Sequence, residues 1–483
     1  MTPTFTDCFI AVAVLWWITS LLQRKVHPPG PKGYPVVGNL FDLMVPEWWR
    51  NTVMWGSQYG DVVFLRSLGQ PMIMVNSYDV AVDLFEKRSM NYSDRPTSVM
   101  VNELQQWDWM LSSLSYGEQL KKLRGPVQKF FESSNIQHYE DMQKNETQKL
   151  LRSLLRSPEN YSQHLKTSLA SSIMMVTFGH EIDSFDDLLV TLARMASDHV
   201  EMAMQQGLFL VDVIPWLKHL PKWFPGAGFQ VIAENGAKLS HDLRYVPYRY
   251  AKDKVLTGSA TRSFTSQQME DCSRLSGKLT EDDEAVISAT TGICYGAGAS
   301  TTMSALMFFL LALTLHPDVQ KRAQDEIDQV VGDSRLPELS DRPRLPYCSA
   351  LLKEVHRWCP ILPLGVAHAT READTYEGYY IPAKTIVIPN CWAMLMDPNE
   401  YPDPDAFKPE RFLPDDGQRM PRDPTKIAFG FGRRVCPGKP LAENTIFLAA
   451  THILTVFNVS KATSEDGSVI EPIVKIHSDG VVR

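Results

Sequence analysis

A glycine-rich loop around a single cysteine, at residues 429–438, is the feature that most constrains this chain. It reads Phe-Gly-Phe-Gly-Arg-Arg-Val-Cys-Pro-Gly and runs directly into an apolar stretch. Glycine adopts positive φ without steric cost, and it lets the backbone approach a flat ligand closely. We therefore expect the loop to bend sharply at its three glycines and to present the cysteine to a ligand. These glycines are Gly430, Gly432 and Gly438.

The sequence around Cys436 favours an anionic sulfur. Pro437 lacks an N–H and suits the first position of a helix, so Cys436 is predicted to be the N-cap of a helix through residues 441–454. The positive end of that helix, together with Arg433 and Arg434, stabilises a thiolate. The competing interpretation is a buried structural cysteine that follows a glycine turn.

The loop matches F-x-x-G-x-R-x-C-x-G at every fixed position, and it resembles the haem-binding loop of the cytochrome P-450 family, the haem-thiolate monooxygenases. The resemblance implies that Cys436 is the axial ligand of a haem b iron. It also implies that Arg434 pairs with a haem propionate, that Phe429 screens the sulfur, and that Gly430 and Gly438 contact the cofactor. The fold it implies is mainly α with a small β lobe, with a long central helix over the haem and the cysteine loop beneath it.

Length and composition fit one large domain. The 483 residues contain 44% hydrophobic residues and no long low-complexity linker, so we expect a catalytic domain over residues 28–483. The net charge of -8 gives no support for nucleic acid as a partner. Seven cysteines without a C-x-x-C pair indicate reducing surroundings rather than a zinc ribbon or a disulfide framework.

Residues 1–27 are predicted to be a single membrane anchor with its basic flank. The apolar run from Cys8 to Leu22 is followed by Arg24 and Lys25, which places the following domain in the cytosol, at the endoplasmic reticulum membrane. A cleaved signal peptide is the alternative, but the positive charge follows the apolar run. Residues 28–31, Pro-Pro-Gly-Pro, resemble the stiff hinge between the anchor and the catalytic domain of the family.

Most of the remaining chain is predicted to be helical, with short strands at Val62–Leu65, Met72–Val75 and Thr385–Ile388. The polar stretch Leu256–Lys278 is predicted to be a surface connection. The resemblance also indicates that the C-terminal strand of the family is shortened in this chain, which ends at Arg483.

The longest helix is predicted to begin near Thr280, whose side chain caps the first turn together with Asp283, and to end before Pro317. Three glycines in its middle each cost about 1 kcal/mol relative to alanine. Two explanations remain open at this point, the close approach of a large planar group and a crossing with another helix. The glycines are Gly292, Gly296 and Gly298.

Within this helix, residues 297–302 resemble the oxygen-binding groove of the family. The resemblance implies that Ala297 and Gly298 lie against the cofactor and that Thr301 hydrogen-bonds to dioxygen. An acid usually precedes the threonine, but here the residue is Ser300. We expect Ser300 and water to carry protons in its place, more slowly or with more loss of peroxide.

Two further motifs complete the resemblance. Glu354 and Arg357 form an E-x-x-R pair on one helix face, and Arg411 follows in Pro-Glu-Arg-Phe, so the three are assigned to a structural Glu-Arg-Arg triad behind the haem. His368 and Arg124 occupy positions at which relatives hold the propionates. Near Arg124, Leu120 replaces the usual tryptophan, which removes one N–H donor.

The substrate is expected to be an apolar small molecule. By position, the distal wall would be formed by residues 101–114, with Trp107, Trp109 and Met110, by Ile293 and Ala297, and by residues 362–366, which are mostly apolar. The stretch 214–226 resembles a segment common in fungal members, and it is predicted to dip into the bilayer.

The predicted function is a membrane-anchored monooxygenase that inserts one oxygen atom from O2 into an apolar molecule. NADPH supplies the electrons through a separate cytochrome P-450 reductase, because the chain contains no flavin-binding or dinucleotide-binding region. The resemblance is to fungal members of secondary metabolism or xenobiotic oxidation. Two alternatives remain: a haem-thiolate isomerase or dehydratase, and a haem-binding pseudoenzyme with impaired oxygen activation, which Ser300, Leu120 and the shortened C-terminal strand jointly suggest.

Overall fold

The computed structural model describes residues 26–45, 47–182, 186–203, 209–414, 417, 419–464 and 466–472. Most of the predicted anchor and the predicted shortened C-terminal strand lie outside the described residues. The described chain is mainly helical with a small β lobe, so the predicted fold class is confirmed.

Helices form most of the structure. In chain order they are α1 (Leu40–Leu43), α2 (Trp48–Tyr59), α3 (Tyr78–Val82), α4 (Ser89–Tyr92), α5 (Glu118–Phe130), α6 (Ser133–Ile136), α7 (Glu140–Arg156), α8 (Tyr161–Phe178), α9 (Leu188–Ala203), α10 (Phe229–Leu256), α11 (Phe264–Ser276), α12 (Glu281–Leu315), α13 (Pro317–Val330), α14 (Pro346–Trp358), α15 (Cys391–Leu395), α16 (Thr425–Ala428) and α17 (Lys439–Val456). Short π-type turns lie at Asp83–Lys87 and Val99–Leu104, and 3-10 turns at Gln137–Tyr139, Pro158–Asn160, Leu210–Asp212, Pro215–His219, Leu339–Arg344, Pro409–Phe412 and Gly432–Arg434.

The β lobe contains two small sheets. The strands are β1 (Val62–Ser67), β2 (Gln70–Val75), β3 (His368–Ala369), β4 (Asp374–Tyr376), β5 (Tyr379–Ile381) and β6 (Ile386–Pro389). The larger sheet has the order β1-β2-β6-β3, in which only β2 and β6 are parallel, and β4 pairs with β5. The three predicted strands are confirmed, and each differs from the observed one by a residue or two at its ends.

The long helix α12 begins and ends where the sequence predicts. Thr280 accepts a hydrogen bond from the Asp283 N–H at 3.1 Å, and the Asp283 carboxylate accepts one from the Thr280 N–H at 3.0 Å. Among the described residues it is the one helix long and apolar enough to cross a membrane. It packs against α8 and α10 in the middle of the domain, and this central position accounts for its apolar composition.

The predicted surface connection over Leu256–Lys278 is wrong, because most of it forms α11. Ser263 and Ser266 cap this helix reciprocally, and Phe264 and Met269 are both 2% exposed. Two buried apolar residues in a polar stretch do not produce a recognisable hydrophobic stripe. The helix is instead defined by its cap and by contacts with α8 and α12.

The segment after the predicted anchor is attached to the β lobe. Tyr380 donates its N–H to the Val26 carbonyl at 2.7 Å, and Phe64 donates its N–H to the Pro29 carbonyl at 2.9 Å. Gly30 lies so close to β1 that a Cβ atom there would be 1.9 Å from the Phe64 carbonyl oxygen. The Pro-Pro-Gly-Pro segment therefore holds a fixed position against β1 and β5.

Candidate active site

The cysteine loop folds around two left-handed glycines. Gly430 has a φ of 79° and Gly432 a φ of 51°, and a Cβ atom on Gly432 would lie 2.2 Å from the Phe85 carbonyl oxygen. The Cys436 N–H donates to the Phe429 carbonyl at 2.8 Å, which closes the loop. Only glycine fits at position 432, because that conformation and that contact both exclude a side chain.

Two details of the loop differ from the sequence-based expectation. Gly438 has a φ of -81°, so it does not supply a left-handed turn, and a Cβ atom there would lie 4.0 Å from the Cys436 sulfur. The helix α17 begins at Lys439 with Gly438 as its N-cap, so the prediction of Cys436 as N-cap is wrong. Pro437 and Gly438 form an extra turn between the cysteine and the helix.

The sulfur nevertheless lies at the N-terminal end of α17. Burial raises the pKa of the Cys436 thiol, whereas the N–H groups of Gly438 and Lys439 and the positive charges of Arg124 and Lys439 lower it. The side chain remains accessible although protein surrounds the loop. These N–H groups and charges are suited to a sulfur that carries negative charge when it ligates a metal.

Part of α12 is accessible in the middle of the domain. Ile293 and the two residues after it are buried, but Ala297 is exposed, and Ser300 and Thr301 are partly exposed. The Thr301 hydroxyl donates to the Ala297 carbonyl at 3.1 Å, and the helix remains α-helical through this region. Ala297 on the central helix and Cys436 in its loop are therefore both open to a ligand.

Two of the glycines of α12 lie where neighbouring residues approach the helix closely. A Cβ atom on Gly292 would lie 3.0 Å from the Trp109 ring, and one on Gly298 would lie 2.8 Å from two side-chain atoms of Ile173 on α8. The Cβ position of Gly298 therefore faces the neighbouring helix α8. This close approach gives glycine a packing role at position 298, beside its predicted contact with the cofactor.

Two of the predicted arginines lie beside the cysteine loop. Arg434 is 8% exposed and donates to three backbone carbonyls, those of Ser93 at 2.8 Å, Leu111 at 3.0 Å and Leu114 at 2.6 Å. Arg124 donates to the Val435 carbonyl at 2.5 Å. Burial and the neighbouring Arg124 lower the pKa of Arg434 to about 10. The carbonyls use three of the five N–H groups of Arg434.

A third arginine, Arg95, joins this cluster and was missed in the sequence. It is 7% exposed, it donates from Nη1 to the Val366 and Ala367 carbonyls at 2.6 and 2.7 Å, and its buried Nε has no hydrogen-bond partner. Burial, Arg434 and Arg124 lower its pKa well below the usual value. No ion pair of these three arginines with an acid occurs among the described residues. Such a cluster fits an anionic group.

His368 lies in the same region. Its Nδ1 is 2.7 Å from the Tyr92 carbonyl oxygen, its ring lies 4.4 Å from that of Phe85, and it is 4% exposed. Arg95 holds the two carbonyls directly before it in the chain. His368 therefore lies near Arg95 and Arg434.

The structure also brings the Glu-Arg-Arg triad together. Arg357 donates to both carboxylate oxygens of Glu354 at 2.8 Å, and both side chains are fully buried. Arg411 lies 3.1 Å from the same carboxylate. The Lys408 N–H donates to it as well, at 2.8 Å. The triad thus joins α14 to the segment that precedes the cysteine loop.

The tryptophans predicted for the distal wall are core residues. Trp107 and Trp109 are 1% and 5% exposed, and the Trp109 indole donates to Ser240 at 2.9 Å. Met110, which follows them, is partly exposed. By contrast, Trp216 and Trp223 in the predicted membrane-dipping stretch are 67% and 81% exposed.

Comparison with known proteins gives a family for this arrangement. A family model described as cytochrome P450 matches residues 28–478. The chain is 39% identical to cytochrome P450 monooxygenase 208 of Postia placenta, over 93% of this chain and 87% of the relative. It is 38% identical to cytochrome P450 monooxygenase claR of Ampulloclitocybe clavipes, over 99% of this chain and 88% of the relative. It is also 38% identical to cytochrome P450 monooxygenase ple1 of Rhodocybe pseudopiperita, over 100% of this chain and 94% of the relative.

Proposed function

We propose that this chain, which belongs to the cytochrome P450 family, inserts one oxygen atom from O2 into an apolar organic substrate. A separate reductase would supply electrons from NADPH. The observation that carries the proposal is the accessible Cys436 sulfur, which lies beside the N–H groups of Gly438 and Lys439.

The residues present fit a haem. The Cys436 sulfur would ligate the iron, and the cluster of Arg95, Arg124 and Arg434 would supply positive charge for two propionates. The buried Nε of Arg95 has no partner in the protein, so an incoming carboxylate would satisfy it. When bound, haem supplies the iron at which dioxygen is activated.

Several side chains would hold the cofactor and its surroundings. Arg124 and Arg434 would donate their remaining N–H groups to propionate oxygens, and Phe429 would shield the sulfur from water. Ala297 is small enough to let the cofactor lie against α12. Gly430 would contribute through the loop backbone, because a side chain at its φ of 79° would be strained.

Thr301 and Ser300 would handle protons. Each hydroxyl can both donate and accept a hydrogen bond, so Thr301 can orient dioxygen while Ser300 exchanges protons with water. Neither residue is ionised at neutral pH. Proton delivery would therefore depend on water in the cleft rather than on a carboxylate.

The surroundings support an apolar substrate and a membrane location. Ile293 lies one turn before Ala297 on α12, and Met110 packs near Gly296, so both place apolar groups close to the accessible part of the helix. Trp216, Trp223 and Phe224 expose large apolar surfaces in one short stretch, which suits insertion at the bilayer surface. We propose that residues 1–27 anchor the protein in the endoplasmic reticulum membrane with the catalytic domain in the cytosol.

The proposal is tested by expressing the protein with a P450 reductase. Reduced protein treated with carbon monoxide should show the long-wavelength absorption of thiolate ligation, and Cys436→Ser should abolish it while Cys272→Ser keeps it. NADPH and O2 consumption should rise with a substrate from a panel of steroids, terpenoids and polycyclic aromatics. Turnover without NADPH or O2 would instead indicate an isomerase or dehydratase, and haem binding with no turnover a pseudoenzyme.

A further inference from the structure

The two arginines next to Cys436 in the sequence direct their side chains to other parts of the protein. Arg434 donates to three backbone carbonyls. Arg433 donates from Nε to the Ser89 hydroxyl at 2.9 Å and from Nη1 to the Tyr116 hydroxyl. Both guanidinium groups are thus engaged with segments that lie far from the cysteine in the sequence. A different cation, Lys439, belongs to the helix that begins behind the sulfur.

The ammonium group of Lys439 is held in place by three groups. Its Nζ donates to the Thr425 hydroxyl at 2.9 Å, and it lies 5.3 Å from the centroid of the Phe429 ring. Glu443, one turn further along α17, places a carboxylate oxygen 3.9 Å away. The side chains of Lys439 and Glu443 are 28% and 24% exposed. Attraction between a cation and an aromatic face favours this position of the ammonium group.

Lys439 approaches the cysteine loop with both its backbone and its side chain. The sulfur of Cys436 lies beside the N–H groups of Gly438 and Lys439, and a Cβ atom on Gly438 would be 4.0 Å from it. The Cys436 N–H donates to the carbonyl of Phe429, whose ring also packs against His356 with the ring centroids 5.6 Å apart. The Phe429 ring therefore has the Lys439 ammonium group and the His356 ring as neighbours. The cation is fixed beside the residue that closes the loop around the sulfur.

A fixed positive charge near a ligating sulfur acts on the metal that the sulfur holds. Charges and hydrogen bonds around a metal ligand change how much negative charge it donates, and they thereby set the reduction potential of the metal. Reduction of a ferric haem adds one negative charge to the site, so a nearby cation favours the ferrous form. Because the Lys439 side chain is mostly buried, water screens this effect less than it would at the surface.

We propose that Lys439 is a positioning residue that acts through Cys436 and raises the reduction potential of the bound haem. It would thereby favour transfer of the first electron from the reductase. In that step one electron passes from the reductase to ferric iron, which becomes ferrous, and no bond forms or breaks. This inference rests on the proposed function, because it requires a haem ligated by Cys436.

The test is a potentiometric titration of the haem in the purified holoprotein. Lys439→Met keeps most of the side-chain length and removes the charge, so the equilibrium constant for one-electron reduction should fall about three- to tenfold. The iron–sulfur stretching frequency in resonance Raman spectra should rise, because the sulfur then donates more charge. Lys439→Arg keeps the charge and should restore the wild-type potential.

Glu443→Gln provides a change of the opposite sign. It removes the negative charge that opposes Lys439, so the equilibrium constant for reduction should rise. A role of Lys439 in packing alone would not predict opposite shifts for the two neutral variants. Lys426→Met is the matched control, since Lys426 is exposed on α16 directly after Thr425. It should keep the wild-type potential.

Two results would overturn the inference: a wild-type potential in Lys439→Met, or shifts of the same sign in Lys439→Met and Glu443→Gln. If Lys439→Met incorporates no haem, Glu443→Gln decides the matter, and the absence of a rise in its equilibrium constant overturns the inference. Absence of the thiolate absorption in the carbon monoxide complex of the wild type would instead reject the proposed function.

Discussion

Arg357 donates from Nε and Nη2 to the two carboxylate oxygens of Glu354, each at 2.8 Å, and neither side chain has any exposed surface. Arg411 shares the same carboxylate. Removing one member of such a buried pair leaves an uncompensated charge, which costs roughly 3–5 kcal/mol. We predict that Glu354→Ala lowers the free energy of unfolding by about that amount and sharply reduces haem content. Urea denaturation and the haem-to-protein ratio measure the two effects.

An exposed ion pair provides the control for this prediction. Arg274 and Glu270 lie one helical turn apart on α11, and both side chains are more than two-thirds exposed. Pairs of this kind contribute about 0.3–0.5 kcal/mol. Glu270→Ala should therefore leave stability and haem content almost unchanged. Equal losses in Glu270→Ala and Glu354→Ala would contradict the structural role of the buried triad.

The elements that the sequence predicts correctly depend on local patterns. Thr280 and Asp283 are three residues apart and cap α12 as predicted, and the three predicted strands lie in the observed sheet. Glu354 and Arg357 also meet because residues three apart share a helix face. Each of these predictions needs only the spacing of neighbouring residues.

What the sequence did not predict depends on contacts between distant segments. Arg95 lies in a polar stretch without a distinctive pattern, and only its burial beside residues 366–367 and near Arg434 identifies it as part of the site. Similarly, the sequence does not show that Ile173 fills the space beside Gly298. The predicted start of α17 was too early, because Pro437 lies in a turn before the helix and is not the first helical residue.

Arg95 should be required to retain haem. A hydrogen bond to a charged group contributes about 1.5–3 kcal/mol, so loss of the Arg95 contacts should accelerate haem loss roughly tenfold to a hundredfold in Arg95→Ala. Arg95→Lys keeps the positive charge but lacks the several N–H donors of the guanidinium group, so we expect an intermediate rate of haem loss. Haem transfer to apomyoglobin at pH 7 measures the rates.

Arg88 is a suitable control for Arg95. It lies seven residues earlier, but it pairs with Asp374 at 2.7 Å on the protein surface. Arg88→Ala should retain haem at the wild-type rate. If Arg95→Ala and Arg88→Ala lost haem at the same rate, the assignment of Arg95 to a propionate would fail.

Gly298 and Ile173 should show coupled effects on stability. Alanine normally stabilises a helix interior by about 1 kcal/mol relative to glycine, but here its Cβ atom would lie 2.8 Å from the Ile173 side chain. We predict that Gly298→Ala destabilises the wild type and stabilises an Ile173→Ala background, with a coupling free energy of about 1–2 kcal/mol in a double-mutant cycle. Thermal or urea unfolding of the four proteins measures it.

Gly125 on α5 is the matched control for this cycle, because no atom lies within 4 Å of a Cβ built there. Gly125→Ala should stabilise the protein by about 0.5–1 kcal/mol, and this gain should not depend on residue 173. Coupling of similar size at Gly125 would show that the effect at Gly298 does not come from contact with Ile173.

Ser300 should lower the fraction of NADPH-derived electrons that is used for substrate oxidation rather than lost as hydrogen peroxide. Its hydroxyl is next to Thr301 on the accessible part of α12, but it does not ionise at neutral pH, whereas a positioned acid contributes typically about 10²- to 10⁴-fold to proton transfer. We predict that Ser300→Asp releases several-fold less hydrogen peroxide per NADPH than the wild type, because faster proton delivery competes with release of peroxide. Asparagine has nearly the same size as aspartate but is not an acid, so Ser300→Asn should release as much peroxide as the wild type. If the aspartate and asparagine variants release equal amounts, bulk at position 300 rather than proton supply controls the coupling, and the assigned role of Ser300 is wrong.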